Sequence, residues 1–290
     1  MSIKKSVKRS IIESLSLLIP DKLFLKIQFR RKMGYWMDFN NPRTYNEKLQ
    51  WLKVYKRDPI MTQMVNKADA KKYVSRIIGE QHIIKTIGIW SSFDDINFDK
   101  LPDKFVLKTT HDSGGVVICT DKAKFDRKKA KFKLEKSLNR NYYAGTREWP
   151  YKDVPRQIIA EEYMIDESGY ELKDYKWFCF SGEPKALFIA SDRSSLTEET
   201  KFDFFDSDFN HLPFTNGHPN SSVEFIKPKG FEEMKEYARQ LSQGFPHLRV
   251  DFYDINGKIY FGELTFYHWS GFVKFDPLEW DYIFGSWIKI

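Results

Sequence analysis

The chain has 290 residues, 41% of them hydrophobic and 17% aromatic, enough apolar side chain to fill a sizeable core, so a folded globular protein is expected. Lysine and arginine outnumber aspartate and glutamate by 47 to 40, a formal charge of +7 that favours polyanionic partners without naming one. The only cysteines, Cys119 and Cys179, exclude a disulfide-dense secreted scaffold, and no run reaches the roughly 20 apolar residues of a spanning helix, so the expected compartment is the cytoplasm.

Residues 3 to 32 mix Lys4, Lys5, Lys8, Arg9, Lys22, Lys26, Arg30, Arg31 and Lys32 with Ile11, Ile12, Leu15, Leu17, Leu18, Leu23, Phe24, Leu25, Ile27 and Phe29. That pattern predicts basic amphipathic helices broken at Pro20-Asp21, which either pack on the body or make peripheral contact with the inner face of a membrane. No small-residue cleavage site follows an apolar core, so no signal peptide is expected. Asn41-Pro42-Arg43-Thr44, with Glu47 three residues on, predicts a capped helix reaching about Tyr55. A second helix is expected over 61–78, interrupted near Asn66 to Asp69 and stopped by Gly79. Short apolar runs then predict strands at 82–84, 87–90, 104–108 and 114–119, before a basic helix over 126–139. From Gln157 the expected strands are 157–164, 175–180, 185–190, 201–205, 248–253 and 258–265, with a helix over 231–242. Hairpins alternating with isolated helices indicate mixed α+β lobes rather than a regular βαβ array.

The run RVDFYDINGKIYFGELTF, residues 249–266, carries two acids on facing strands. A two-residue turn at Asn256-Gly257 would pair Asp251 with Gly262 and put Glu263 opposite Val250, leaving the acids on opposite faces. A three-residue loop with Gly257 in a bulge would pair Asp251 with Phe261 and Arg249 with Glu263, gathering Arg249, Asp251, Glu263 and Thr265 on one face. Two carboxylates so close repel unless a cation sits between them, and magnesium takes such oxygen ligands. Solvation at a sheet edge, or pairing with Arg249, accounts for the acids equally well from spacing alone.

In DKFVLKTTHDSGGVVIC, residues 103–119, a strand ends in Lys108 before a loop of small and polar residues, a pattern able to lay backbone N–H groups over phosphates. No Gly-Lys-Ser/Thr follows, so it is not a Walker A loop, and Gly114-Gly115 also suits a plain hairpin turn. QIIAEEYM (157–164) and KDYKWFCFSG (173–182) place Glu161, Glu162, Asp174 and Lys176 on or beside apolar strands, where a buried charge needs a partner.

The order FVLK, a Ser-Gly-Gly hairpin, IIAEEYM, DYKWFCFSG, RVDFY and FGELTF resembles the ATP-grasp superfamily. More narrowly it is similar to the TupA-like branch found in bacterial cell-surface polysaccharide clusters, from about Asn41 to Ile290. The resemblance implies an α+β ATP-grasp fold whose two lobes clasp ATP. An N-terminal helical extension would span 1–65, a smaller nucleotide-binding lobe 66–156 and a larger lobe with the magnesium site 157–290. By the same likeness Lys108 reaches the phosphates, Ser113, Gly114 and Gly115 cover them, and Glu161, Glu162, Tyr163 and Met164 meet the adenine. Asp174 matches a ribose-binding acid, with Lys176 beside the nucleotide. Asp251 and Glu263 match magnesium ligands, Thr265 stands where the family carries an Asn ligand, and Arg249 contacts the transferred phosphoryl group.

The implied reaction makes an acyl phosphate and ADP from a carboxylate and ATP, after which an amine attacks to give an amide. The branch implies a carboxylate on a uronic acid or other surface-glycan component, or on a small molecule, with an amino acid or small amine as co-substrate. Arg193, after a strand, is a further candidate for the phosphates. The rival class is a metal-dependent glycosyltransferase using Asp206 and Asp208 as an Asp-x-Asp pair, although Asn210 and Pro213 favour a turn. The histidines have no metal spacing; His111 is expected to steady the phosphate loop, and FYHWSGF (266–272) to pack against the last helix rather than form a stacking wall for a sugar ring. Clustered basic-aromatic RNA-binding motifs are missing, so no nucleic-acid partner is expected.

Overall fold

The structure is a computed structural model, and it describes residues 16–166, 169, 172–191 and 199–290. Arg193 and the basic residues before Ser16 lie outside the described residues. Among the described residues the order opens with helices α1 (Asp21–Met33), α2 (Tyr45–Tyr55), α3 (Ile60–Val65) and α4 (Asp69–Ile78), then strands β1 (Thr86–Trp90), β2 (Phe105–Thr109) and β3 (Val116–Cys119). Helices α5 (Arg127–Leu138) and α6 (Tyr142–Thr146) lead to strands β4 (Ile158–Glu162), β5 (Asp174–Phe180), β6 (Glu183–Ser191), β7 (Lys201–Asp206), β8 (His211–Leu212) and β9 (Thr215–Asn216). Helix α7 (Phe231–Leu241), strands β10 (Leu248–Ile255), β11 (Lys258–Thr265) and β12 (Phe275–Asp276), and helix α8 (Glu279–Trp287) complete the order.

Two compact units divide these elements: one holds Met1–Phe24, Arg57–Tyr73 and Ile84–Met164, the other Leu25–Lys56, Val74–Ile83 and Ile165–Ile290. The segmentation expected from sequence, with breaks after 65 and 156, cuts across them. Strand β4 stays in the first unit because it hydrogen-bonds to both β1 and β2. Helix α2 belongs to the second because Tyr45, fully buried, packs edge-on against Phe178, Phe180, Phe275 and Phe284.

The first unit carries an antiparallel sheet in the order β1-β4-β2-β3. On β2 burial alternates residue by residue: Phe105 and Leu107 turn into a core with Phe98, Ala130, Leu134 and Ile158, so Lys108 points from the opposite face. The strand expected at 82–84 is instead a 3₁₀ turn, Glu80–His82, entered through Gly79 at φ 100°.

The second unit is built on a six-stranded antiparallel sheet, β11-β10-β5-β6-β7-β8. Both faces of β5 are covered: Trp177 meets Phe231 of α7, and Phe178 meets Tyr45 of α2. That double cover explains why β5, after its opening Asp174, reads as an apolar run broken only by Lys176. Helix α7 buries Phe231, Met234, Ala238 and Leu241, the single stripe its periodicity offers.

The β10–β11 hairpin corrects both registers considered from the sequence. Ile255 pairs with Lys258 across two residues, Asn256 at φ 56° and Gly257 at φ 86°, the tight turn with two left-handed positions. Asp254 holds it, accepting from the Gly257 N–H at 2.6 Å. Further along, Phe252 pairs with Phe261 but Asp251 pairs with Glu263, so Gly262 is an extra residue in a β-bulge. Arg249 then faces Thr265. The bulge lies mid-ribbon rather than in the loop, and the four residues still share one face.

Candidate functional site

In the first unit Glu161 of β4 is the centre of a buried charge cluster. Its two oxygens are taken by Lys108 of β2 and Lys71 of α4, each at 2.6 Å. Sheet register makes the first contact: Val106 faces Glu161, so Lys108, two residues on, emerges on the same side. Lys71 also donates to the Ile84 carbonyl at 2.6 Å and the Thr86 hydroxyl at 3.1 Å. Burial opposes ionisation of Glu161, yet Lys108 and Lys71 outweigh it and hold its carboxyl down to about 2. Two ammonium groups against one carboxylate leave a formal +1, suited to an anion.

The loop after β2 is anchored from below. The Asp112 carboxylate, buried, accepts from the hydroxyls of Thr109 and Ser137, and Lys67 donates to the Asp112 carbonyl at 2.7 Å. Gly115 closes the hairpin where a Cβ would lie 1.9 Å from the Thr109 hydroxyl, so only glycine fits. Ser113 and Gly114 form the exposed tip, Gly114 at φ 98°. His111, expected to steady this loop, is buried within it. Glu162 is exposed at the end of β4, and Tyr163 and Met164 follow half-buried.

In the second unit the sheet lines up charge across three strands. Lys176 of β5, Asp251 of β10 and Glu263 of β11 are direct cross-strand partners in one row. Lys176 donates to Asp251 Oδ2 and, at 3.0 Å, to Asp174 Oδ1. Arg249, two residues before Asp251 and so on the same face, grips both its oxygens, Nε to Oδ1 at 2.7 Å and Nη2 to Oδ2 at 2.8 Å. Its Nη2 also donates to Thr265 Oγ1 at 3.0 Å, so the Thr265 oxygen serves the arginine. Burial works to raise the Asp251 carboxyl, but Arg249 and Lys176 bring it below its ordinary value.

Among the described residues Asp174, Asp251 and Glu263 stand against Lys176 and Arg249, and both acids of the hairpin present oxygen donors to one face, so the residues fit magnesium. Among the described residues no group of three or more His, Cys, Asp or Glu side chains could hold a metal ion; magnesium needs only one or two carboxylates, completing its shell with water and phosphate.

Residues 47–289 match the sequence model of the TupA-like ATP-grasp family. The chain belongs to that family. With it comes the ATP-grasp fold, here an α+β chain of antiparallel sheets and helices. No curated protein matches. Among solved structures, this TupA-like protein is similar to the D-alanine–D-alanine ligase of Bacillus anthracis complexed with ATP, at 17% identity and TM-score 0.40 over 70% of this chain and 54% of that one. The Helicobacter pylori D-alanine–D-alanine ligase gives 14% identity and TM-score 0.43 over 84% and 69%. An ADP complex of N5-carboxyaminoimidazole ribonucleotide synthetase gives 15% and 0.39 over 80% and 52%. The TupA-like chain thus spans about half the length of the first of these.

Two residues of these clusters escaped the sequence. Lys71 lies on a helix next to the exposed Lys72, where a second lysine reads as surface, and its partner Glu161 is remote in the chain. His268 does pack, edge-on against Phe178, and its Nδ1 also accepts from Arg249 Nη1 at 2.7 Å; a polar residue inside FYHWSGF is the available signal. Asp206 spends both oxygens on the backbone N–H groups of Asp208 and Asn210 and the Asn210 amide, which makes the Asp-x-Asp pair a turn. Among the described residues no helix is long and apolar enough to cross a membrane.

Proposed function

We propose that this TupA-like protein is an ATP-dependent, ADP-forming ligase that joins a carboxylate to an amine. The observation that carries the reading is the row Lys176–Asp251–Glu263 with Arg249 clamped beside it, in a chain of this family. Lys108 and Lys71 would attract the phosphates, and Ser113, Gly114 and Gly115 would lie over them. Glu162, Tyr163 and Met164 would border the adenine, with Asp174 on the ribose and Lys176 beside the nucleotide. Arg249 would neutralise the charge that passes between oxygens as the carboxylate is phosphorylated, and positioning then suffices for the amine to attack. Asp251 and Glu263 would hold magnesium, which supplies further neutralisation of phosphate charge. Arg193 stays a candidate for the same phosphates.

The substrate proposed is a uronic acid or other acidic component of a surface glycan, with an amino acid or small amine as partner; the +7 charge supports an acidic acceptor. Leu23 and Ile27, one turn apart on α1, are 51% and 45% exposed amid Lys22, Lys26, Arg30 and Arg31, which supports peripheral contact with an anionic membrane from the cytoplasmic side. Isothermal titration tests the central claim: magnesium-dependent binding of ATP, and ADP release stimulated by a carboxylate with an amine, are expected. Strong binding of a nucleotide sugar with none of ATP would sink it.

A further inference from the structure

Beside the charged row, buried polar contacts run through His268 to the backbone. Asn216 Nδ2 donates to the carbonyls of Val273 and Lys274 at 3.3 and 3.1 Å, which turns its Oδ1 toward His268. That oxygen lies 2.9 Å from His268 Nε2, so Nε2 carries the proton. His268 Nδ1 is then a bare acceptor, and Arg249 Nη1 donates to it at 2.7 Å. Each link fixes the next, and the chain delivers a neutral acceptor to the guanidinium.

The segment after His268 is unusual. Trp269, Ser270 and Gly271 are all left-handed, at φ 50°, 56° and 64°, a conformation that side chains other than glycine rarely adopt. It is held by the fully buried Lys53, which donates to the Ser270 carbonyl and hydroxyl at 2.8 Å, and by Gln50, which donates to the Ser270 and Gly271 carbonyls at 3.0 and 2.8 Å. Such strain persists where the surroundings over-determine it, and here it follows the residue that touches Arg249.

Among the described residues, four of the five Arg249 N–H groups have partners: two on Asp251, one on Thr265, one on His268. We infer that His268 is a positioning residue that keeps Arg249 aimed when Asp251 shares its oxygens with another cation. Magnesium on Asp251 would compete with the arginine for those oxygens, whereas a neutral imidazole nitrogen adds no charge to the contest and keeps its hold. Burial and the neighbouring Arg249 also drive His268 well below the ordinary histidine range, consistent with a neutral ring.

This inference rests on the ligase reading, so its first test does not. Nitrogen-15 NMR of histidine-labelled protein should show His268 as the Nε2–H tautomer, unchanged from pH 5 to 9 and on adding magnesium; an Nδ1–H tautomer or a charged ring would overturn the inference whatever the activity. The second test uses two substitutions of similar size. Asn at 268 can place an acceptor near the Nδ1 position, while Gln extends toward Nε2 and loses the contact with Arg249. His268→Gln should lower kcat for ADP release roughly 10- to 100-fold with the KM for ATP little changed, and His268→Asn should restore most of the loss. Equal activity in both variants, or losses that follow only their Tm, would assign His268 to packing. A wild-type protein with no substrate-stimulated ADP release would defeat the ligase reading and leave the NMR result standing.

Discussion

Glu161 holds a lysine on each oxygen while buried, so removing its charge leaves two desolvated ammonium groups opposed. Glu161→Gln should cost about 3–5 kcal/mol, the usual penalty for breaking a buried pair, read as a lower urea midpoint; a variant as stable as wild type would refute the pairing. The same contacts set a pH window. The folded carboxyl titrates at about 2 against an ordinary 4.5, so its stabilisation is complete above the ordinary value and is lost as pH falls through 2, about 3 kcal/mol in all. Asp281 runs the other way. Burial pushes it from 3.8 up to about 6, so its contribution is full below the ordinary value and is lost as pH rises through 6. Asp281→Asn should therefore raise the Tm at pH 8 more than at pH 4; calorimetry giving equal shifts would refute this. Lys108 was legible because it ends an apolar strand before a small-residue loop. Lys71 was not, because the contact that matters joins a helix to a distant strand, and helical periodicity explains a lysine there without it.

At the scale of elements, local chemistry was readable where it acts locally. Thr44 accepts from the Glu47 N–H at 3.2 Å and Glu47 returns to the Thr44 N–H at 3.0 Å, the capping box expected from four residues. Thr44→Ala should cost about 1 kcal/mol, seen as a small Tm loss with ATP binding intact; no loss would mean that Asp281, which accepts from the Asn46 N–H, caps α2 alone. The Asn-Gly turn was equally legible. The bulge was not, because its position depends on which residues reach the sheet face, although a lone glycine inside a strand is a recognised mark. A Cβ on Gly262 would lie 3.0 Å from the Asp251 carbonyl oxygen, so Gly262→Val should lower the Tm and weaken magnesium dependence together. Retention of both would show that the bulge tolerates a side chain.

For the whole molecule, the composition correctly announced an aromatic core, visible in the ring contacts of Tyr45, Phe178, Phe214 and Phe284. The composition could not reveal that each unit would gather pieces from three stretches of chain, since that depends on strand pairing between distant segments. The function proposed predicts that Asp251→Asn and Glu263→Gln each abolish ADP release, as chelation of magnesium should in the wild type. They should differ in stability. Asp251 neutralises two buried cations and its loss should cost about 3–5 kcal/mol, whereas the loss of Glu263, half-buried, should cost less. Full activity in either variant would remove the metal assignment.

The bulge at Gly262 also carries a rule of parity. A two-residue turn joins partners an odd number of positions apart, as with Ile255 and Lys258, whereas Asp251 and Glu263 are twelve apart. An even separation can never face across such a turn unless one residue is skipped. Deleting Gly262 should therefore keep the acids opposed in an ordinary ladder, while deleting any one residue between Asp251 and Ile255 should set the bulge and the turn at odds. In this hairpin the chemistry is specified by counting, and a shift of one position changes it more than most substitutions would.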